Sequence, residues 1–142
     1  MGGGQRLGRQ SGGTLELNSA GFLAVAVGAV LGAWARWGLS TWLNPSSPAL
    51  PLGTLAANIG GGYLVGIGVA YFSSNASLAP EWRLACITGF LGALTTFSTF
   101  SAEAVELLLA GRYGAAALHS GTHLFGSIAA TMLGIVSYRA LV

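Results

Sequence analysis

Towards the end of the chain, His119, His123, Ser127 and Thr131 recur at intervals of four residues. Each such step advances roughly 40° around a helix axis, so the four form a slowly winding polar stripe on an otherwise apolar segment. Imidazole and hydroxyl groups all donate hydrogen bonds. His119 and His123 are also spaced as a metal-binding pair. No third ligand accompanies them in the sequence, and the stripe continues in hydroxyls, which favours a hydrogen-bonding track. The plainer role is polar contact between helices, worth only ~0.6 kcal/mol on average.

A second group lies upstream, in Gly89-Phe90-Leu91-Gly92-Ala93-Leu94-Thr95-Thr96-Phe97-Ser98-Thr99-Phe100-Ser101-Ala102-Glu103. Its glycines and hydroxyls weaken a helix midway along an apolar run, which predicts a break. Inside a bilayer a break survives only where the freed backbone groups find partners in protein or in a water-filled cavity, and such breaks commonly form ion sites. The competing expectation is that Thr and Ser bond to carbonyls one turn back and merely bend the helix. Phe97 and Phe100 share a helical face. Ordinary packing is one role for them. Ring electrostatics allow another, since an aromatic ring has a negative face and a positive edge. Two edges among hydroxyl donors, including Ser101, can help to replace an anion's water. Asn58 is an amide in an apolar segment and needs partners. Glu103 and Arg36 are ionisable groups in or beside apolar runs, where charge marks function by default; for Arg36 a snorkelling anchor is the alternative.

These residues sit in a chain of 142 residues that is 53% apolar and only 7% charged. Soluble domains carry roughly a quarter charged residues, so the composition places the protein in the membrane. All six basic residues are Arg, and with four Glu they leave a net charge of +2. No basic patch of the kind nucleic acid requires is present, and nucleic acid is excluded as a partner. The single cysteine, Cys86, excludes an intrachain disulfide or a thiolate metal cluster. Membrane lipid is the expected surrounding.

Four apolar spans are predicted, at about 20–42, 53–72, 82–110 and 113–141, each near or above the ~20 residues that cross a bilayer core. Together they form one transmembrane domain, 19–142, behind a polar, glycine-rich leader, 1–18, read as mobile. Asn44-Pro45-Ser46-Ser47-Pro48 and Ser73-Ser74-Asn75 interrupt the chain between spans. Gly28-x-x-x-Gly32 and Gly62-x-x-x-Gly66 put bare backbone on one helix face, which lets helices approach closely within one subunit or between two. With both termini on one side, Arg6, Arg9, Arg83 and Arg139 oppose Arg36 and Arg112. Without the leader the count is balanced, as insertion in both orientations would require.

Three stretches carry a resemblance: Gly32-Ala33-Trp34-Ala35-Arg36-Trp37, Gly53-Thr54-Leu55-Ala56-Ala57-Asn58, and Gly89 through Glu103. They resemble the signatures of the bacterial fluoride channels called Fluc or CrcB, over nearly the whole chain from about Gly21 to Leu141. The resemblance implies a multi-pass protein of the bacterial inner membrane and an antiparallel, dual-topology homodimer with two pores. It further implies passive fluoride efflux with no enzymatic step. On it, Phe97 and Phe100 are aromatic pore residues and Asn58 a pore-lining amide. Glu103 lies close to the conduction route and Arg36 at the vestibule. His119, His123, Ser127 and Thr131 form the polar track, and the carbonyls of Gly92 and Thr95 serve a structural sodium ion (Na+) at the dimer centre. The main alternative is a proton-coupled small multidrug transporter. That chemistry wants a glutamate in the first span, and none stands between Ala20 and Trp42.

Overall fold

The computed structural model describes residues 18–44 and 50–142. The predicted leader, apart from Asn18, and the proline-containing interruption at 45–49 lie outside the described residues. Among the described residues the chain is all-helical, with four segments long and apolar enough to cross a membrane. The first is α1 (Ser19–Leu43), capped by Asn18, whose side chain accepts from Gly21 N at 2.6 Å. The second is α2 (Leu52–Ser74). Its first amides find an acceptor at the end of α1, where Asn44 Oδ1 takes the N–H of Gly53 at 2.7 Å and that of Thr54 at 3.4 Å. One asparagine thereby satisfies orphan donors of a helix start and ties the two spans together.

The third crossing covers Pro80–Leu109. Residues 80–94 form α3, which opens with Pro80 in its first turn, widens to π-helical geometry over Leu84–Leu91 and closes on Gly92–Leu94. Thr95 (φ −78°, ψ 153°) and Thr96 (φ −147°, ψ 115°) have extended backbone. The chain then resumes as α4 (Phe97–Leu109), with Thr96 as its N-cap accepting from Thr99 N. Gly111, at φ 71°, turns the chain into α5 (Tyr113–Leu141).

Two helix pairs carry most of the packing, α1 on α3 and α2 on α5, and glycine is the reason they pack so closely. A Cβ on Gly28 would collide with the Ala85 carbonyl oxygen, and one on Gly32 with that of Phe90. Across the other pair, Gly66 faces the Thr131 carbonyl while Gly134 faces that of Tyr63, so each helix presses bare backbone into the other. Both glycine pairs read from the sequence therefore face a partner helix of the same chain. Such contacts bring Cα–H groups against carbonyls and replace the hydrophobic drive that lipid removes. The interior side chains are correspondingly small or few, a cluster of Ala57, Leu91 and Leu94. Large apolar side chains point outwards instead, among them Phe22, Trp34, Trp37, Leu109, Phe125 and Met132. That inside-out distribution would expose an apolar patch far beyond what a soluble monomer tolerates; in a bilayer it faces lipid.

Gly66→Ala is expected to lower the thermal unfolding midpoint in detergent, at a cost of about 1–3 kcal/mol for overpacking. Gly114→Ala, where a Cβ meets nothing within 4 Å, should melt at or above the parent temperature, because Ala favours helix over Gly. Equal melting of the two variants would show that the α2–α5 contact does not need bare backbone.

Candidate functional site

Where Thr95 and Thr96 leave helical geometry, amide and carbonyl groups lose their partners one turn away, and in a bilayer each unsatisfied group costs several kcal/mol. Asn58, on the facing side of α2, meets them. Its Oδ1 accepts from Thr96 N at 2.7 Å, and its Nδ2 donates to the Thr96 carbonyl at 3.0 Å. The second Nδ2 proton points to His123 Nδ1, also at 3.0 Å. A single amide thus joins α2, the start of α4 and α5.

Beside this junction lies a cavity of about 440 Å³. Asn58, Phe97, Phe100, His123 and Ser127 line it, together with Gly62, Thr95, Thr96 and Ser120. The ring centroids of Phe97 and Phe100 are 5.5 Å apart, and Phe97 is 80% exposed. Phe100 stacks on His119 at 5.4 Å with 21° between planes, and lies 4.9 Å from His123. One face of Phe100 is therefore covered by imidazole.

His119 and His123 are both buried, at 0% and 4% exposure, with ring centroids 4.5 Å apart. Their surroundings differ. His119 Nε2 lies 3.4 Å from the Phe100 carbonyl oxygen and 3.6 Å from Glu103 Oε2. The other Glu103 oxygen, Oε1, accepts from the hydroxyl of fully buried Thr54 at 2.6 Å. Glu103, His119 and His123 bring one ligand-type atom each to within 4.8 Å of one another. The third partner that spacing along α5 did not reveal thus comes from α4.

The remaining candidates are placed elsewhere. Ser101 donates to the Phe97 carbonyl at 2.8 Å, and Thr131 to that of Ser127 at 2.9 Å, each one turn back on its own helix. Neither lines the cavity, and nor do Glu103 and His119. Thr95 bonds back to the Leu91 carbonyl in the same way at 2.9 Å, yet still lines the wall. Arg36 reaches across from α1 and donates through Nε to the Ala93 carbonyl at 3.1 Å. Gly92 is exposed at the end of α3. Two polar residues escaped the sequence reading. Thr54 stands four residues before Asn58, so their common helix face was available as a signal. Ser120 lies off the four-residue stripe, and nothing in the spacing singles it out.

The protein family described as CrcB-like protein, Camphor Resistance (CrcB), matches residues 23–135. This chain belongs to that family. Among its relatives, a protein of Cupriavidus taiwanensis named fluoride-specific ion channel FluC is 60% identical over 121 residues, covering 85% of this chain and 96% of the relative. Proteins of the same name from Ralstonia pickettii and Thiobacillus denitrificans are 58% and 55% identical, covering 87% and 84% of this chain and 98% and 97% of their own length. The similarity spans all four crossings and the residues around the cavity.

The Thr54–Glu103 bond makes a separable prediction. Thr54→Val should leave a carboxylate oxygen without its donor and lower stability by about 1–3 kcal/mol, read as a fall in melting temperature in detergent. Thr54→Ser, which keeps the hydroxyl, should recover most of the loss; if Val and Ser melt alike, the bond contributes nothing.

Proposed function

We propose that this chain is a fluoride channel, a multi-pass protein of the bacterial inner membrane that lets the anion leave the cytoplasm passively. The observation that carries the reading is the cavity, where Asn58, Phe97, Phe100, His123 and Ser127 converge within a chain up to 60% identical to proteins named for fluoride conduction. Fluoride is small and strongly hydrated, so a pore must exchange its water for closely spaced donors. The imidazole of His123 and the hydroxyls of Ser127 and Ser120 stand on one wall. On the other, Phe97 and Phe100 meet the ion through their positive edges, the face of Phe100 being taken up by His119. Chloride is larger and accepts hydrogen bonds less strongly, so a narrow site repays the loss of its water less well. Such a pore makes and breaks no covalent bond, hence no catalytic residue is assigned.

The working form in this proposal is a homodimer of antiparallel subunits. The balanced arginine distribution supports insertion in both orientations. The extended pair Thr95–Thr96 supports reading the third helix as broken, and the break supports a sodium site. Thr96 N, which would pair with the Gly92 carbonyl in a continuous helix, is taken by Asn58; Thr99 N, which would pair with the Thr95 carbonyl, is taken by the Thr96 hydroxyl. Both carbonyls are left without their helical donors, while Arg36 occupies the Ala93 carbonyl between them. Gly92 and Thr95 therefore fit a hard cation that prefers oxygen ligands. A sodium ion shared by two copies would supply positive charge at the dimer centre and hold the break open. Proton-coupled drug export finds no comparable support, since Glu103 is in the third crossing and tied to Thr54.

Purified protein in liposomes should release trapped fluoride quickly, followed with a fluoride electrode, with negligible chloride release in a parallel run. Phe97→Ile combined with Phe100→Ile should abolish fluoride release while the protein elutes at the parent oligomeric size. Undiminished flux in the double variant would remove the aromatic rings from the mechanism, and absence of flux in the parent would remove the channel.

A further inference from the structure

The two histidines look equivalent in the sequence, yet the bonds around them assign opposite duties. The Thr96 backbone has an N–H that can only donate and a carbonyl that can only accept. The first lies 2.7 Å from one end of the Asn58 amide and the second 3.0 Å from the other. The orientation of that amide therefore admits one assignment, with oxygen towards Thr96 N and nitrogen towards Thr96 O. Its remaining nitrogen proton then points at His123 Nδ1, 3.0 Å away. A ring nitrogen that receives a proton donor must present its lone pair, so in the neutral ring the proton of His123 resides on Nε2. That Nε2 is buried and has no hydrogen-bond partner among the described residues, in a side chain that lines the cavity.

His119 is held differently. Its Nε2 faces the Phe100 carbonyl and Glu103 Oε2, both acceptors, so its N–H is directed into protein; Nδ1 has no partner among the described residues, and the ring lies off the cavity wall. We infer that His123 is the imidazole that donates to fluoride, through Nε2–H, and that Asn58 is a positioning residue that fixes this tautomer rather than a donor to the ion. The inference rests on the fluoride reading above and deepens it. Both Nδ2 protons of Asn58 are already committed, to Thr96 and to His123. The same tautomer decides against the cluster of Glu103, His119 and His123 as a transition-metal site. A metal on His123 Nε2 needs the lone pair there, and moving the proton to Nδ1 would set it against the Asn58 donor. Metal-bound histidines instead donate their second N–H to an acceptor.

Nitrogen NMR of the full-length protein with isotope-labelled histidine, reconstituted in lipid, reads the tautomer directly. The expected result is a bare Nδ1 and a protonated Nε2 on His123, with added sodium fluoride, but not sodium chloride, shifting the Nε2 signal and leaving His119 in place. In Asn58→Ala the preference for Nε2–H should disappear, a change that a merely structural role would not produce. Liposome flux adds an independent reading. Gln places an amide N–H near the position of Nε2 and Asn places one near Nδ1, so His123→Gln should release fluoride roughly ten-fold or more faster than His123→Asn, the loss expected for one hydrogen bond to a charged ligand. A proton on Nδ1 of His123, a fluoride response confined to His119, or equal flux in the Gln and Asn variants would each overturn the assignment. Absence of flux in the parent protein would defeat the channel reading while leaving the tautomer to be judged by NMR alone.

Discussion

Everything at the centre of this protein depends on satisfying two backbone groups inside a membrane. Once Thr95 and Thr96 turn extended, the amide and carbonyl of Thr96 have no helical partner and no bulk water. Asn58 supplies both in one planar group. An amide is the side chain suited to this task, because it presents a donor and an acceptor side by side as a peptide does. Its location is equally constrained. Thr54, one turn before it on α2, binds Glu103, so a single face of α2 holds both the beginning and the middle of α4. The freedom to depart from helical geometry at Thr95 is thus conferred by α2, and the cavity forms where that departure opens space beside Gly62.

Close helix packing is the second condition. Asn58 reaches Thr96 and His123 at hydrogen-bonding distance because α2 lies tight against α5, with Gly66 and Gly134 each facing a carbonyl of the other helix. A bilayer offers little hydrophobic gain for such an approach. Dispersion and Cα–H contacts must supply it, and they fall off steeply with distance. Glycine at these positions is therefore part of the site at one remove. It sets the spacing within which one amide can bridge three elements.

The fold was legible in the sequence because hydropathy over ~20 residues is a strong signal and because the glycine pairs at Gly28, Gly32, Gly62 and Gly66 declare their packing faces. Much of the candidate site was legible as well, since Asn58 and the run from Thr95 to Phe100, which meet at the cavity, conflict with their apolar surroundings. What could not be read was the direction in which each hydroxyl donates. A Ser or Thr in a helix always has a carbonyl one turn back within reach. Spacing cannot tell that Ser101 and Thr131 use it while the Thr96 hydroxyl caps α4. The winding stripe on α5 suffers from the same ambiguity. Its drift of roughly 40° per step carries it from His119, beneath α4, past the cavity at His123 and Ser127, to Thr131 beside Gly62 on α2. One periodic pattern serves three different neighbours. Thr54 and the meeting of Glu103 with His119 join residues 49 and 16 positions apart in the chain, separations that helical periodicity does not encode.

In the proposed channel a carboxylate, Glu103, lies close to the route of an anion, which raises an electrostatic difficulty that its surroundings bear on. Two like charges 4 Å apart repel by about 4 kcal/mol at an effective dielectric constant near 20, enough to close a pore. Here Oε1 accepts a hydrogen bond from the Thr54 hydroxyl, and Oε2 lies 3.6 Å from His119 Nε2, too far for a hydrogen bond. The Thr54 bond holds the carboxylate on the α2 side, and Glu103 is absent from the cavity wall. His119 then lies between the acid and the aromatic ring, stacked on Phe100. Phe100 lines the cavity whereas Glu103 and His119 do not, so in the proposed channel the ring separates this pair from the ion. On this account the carboxylate's value is structural. Bound to Thr54 it ties α4 to α2, and His119 stacks on Phe100, whose edge the proposed channel offers to fluoride, so that in that proposal an acid in the membrane serves an anion without meeting it.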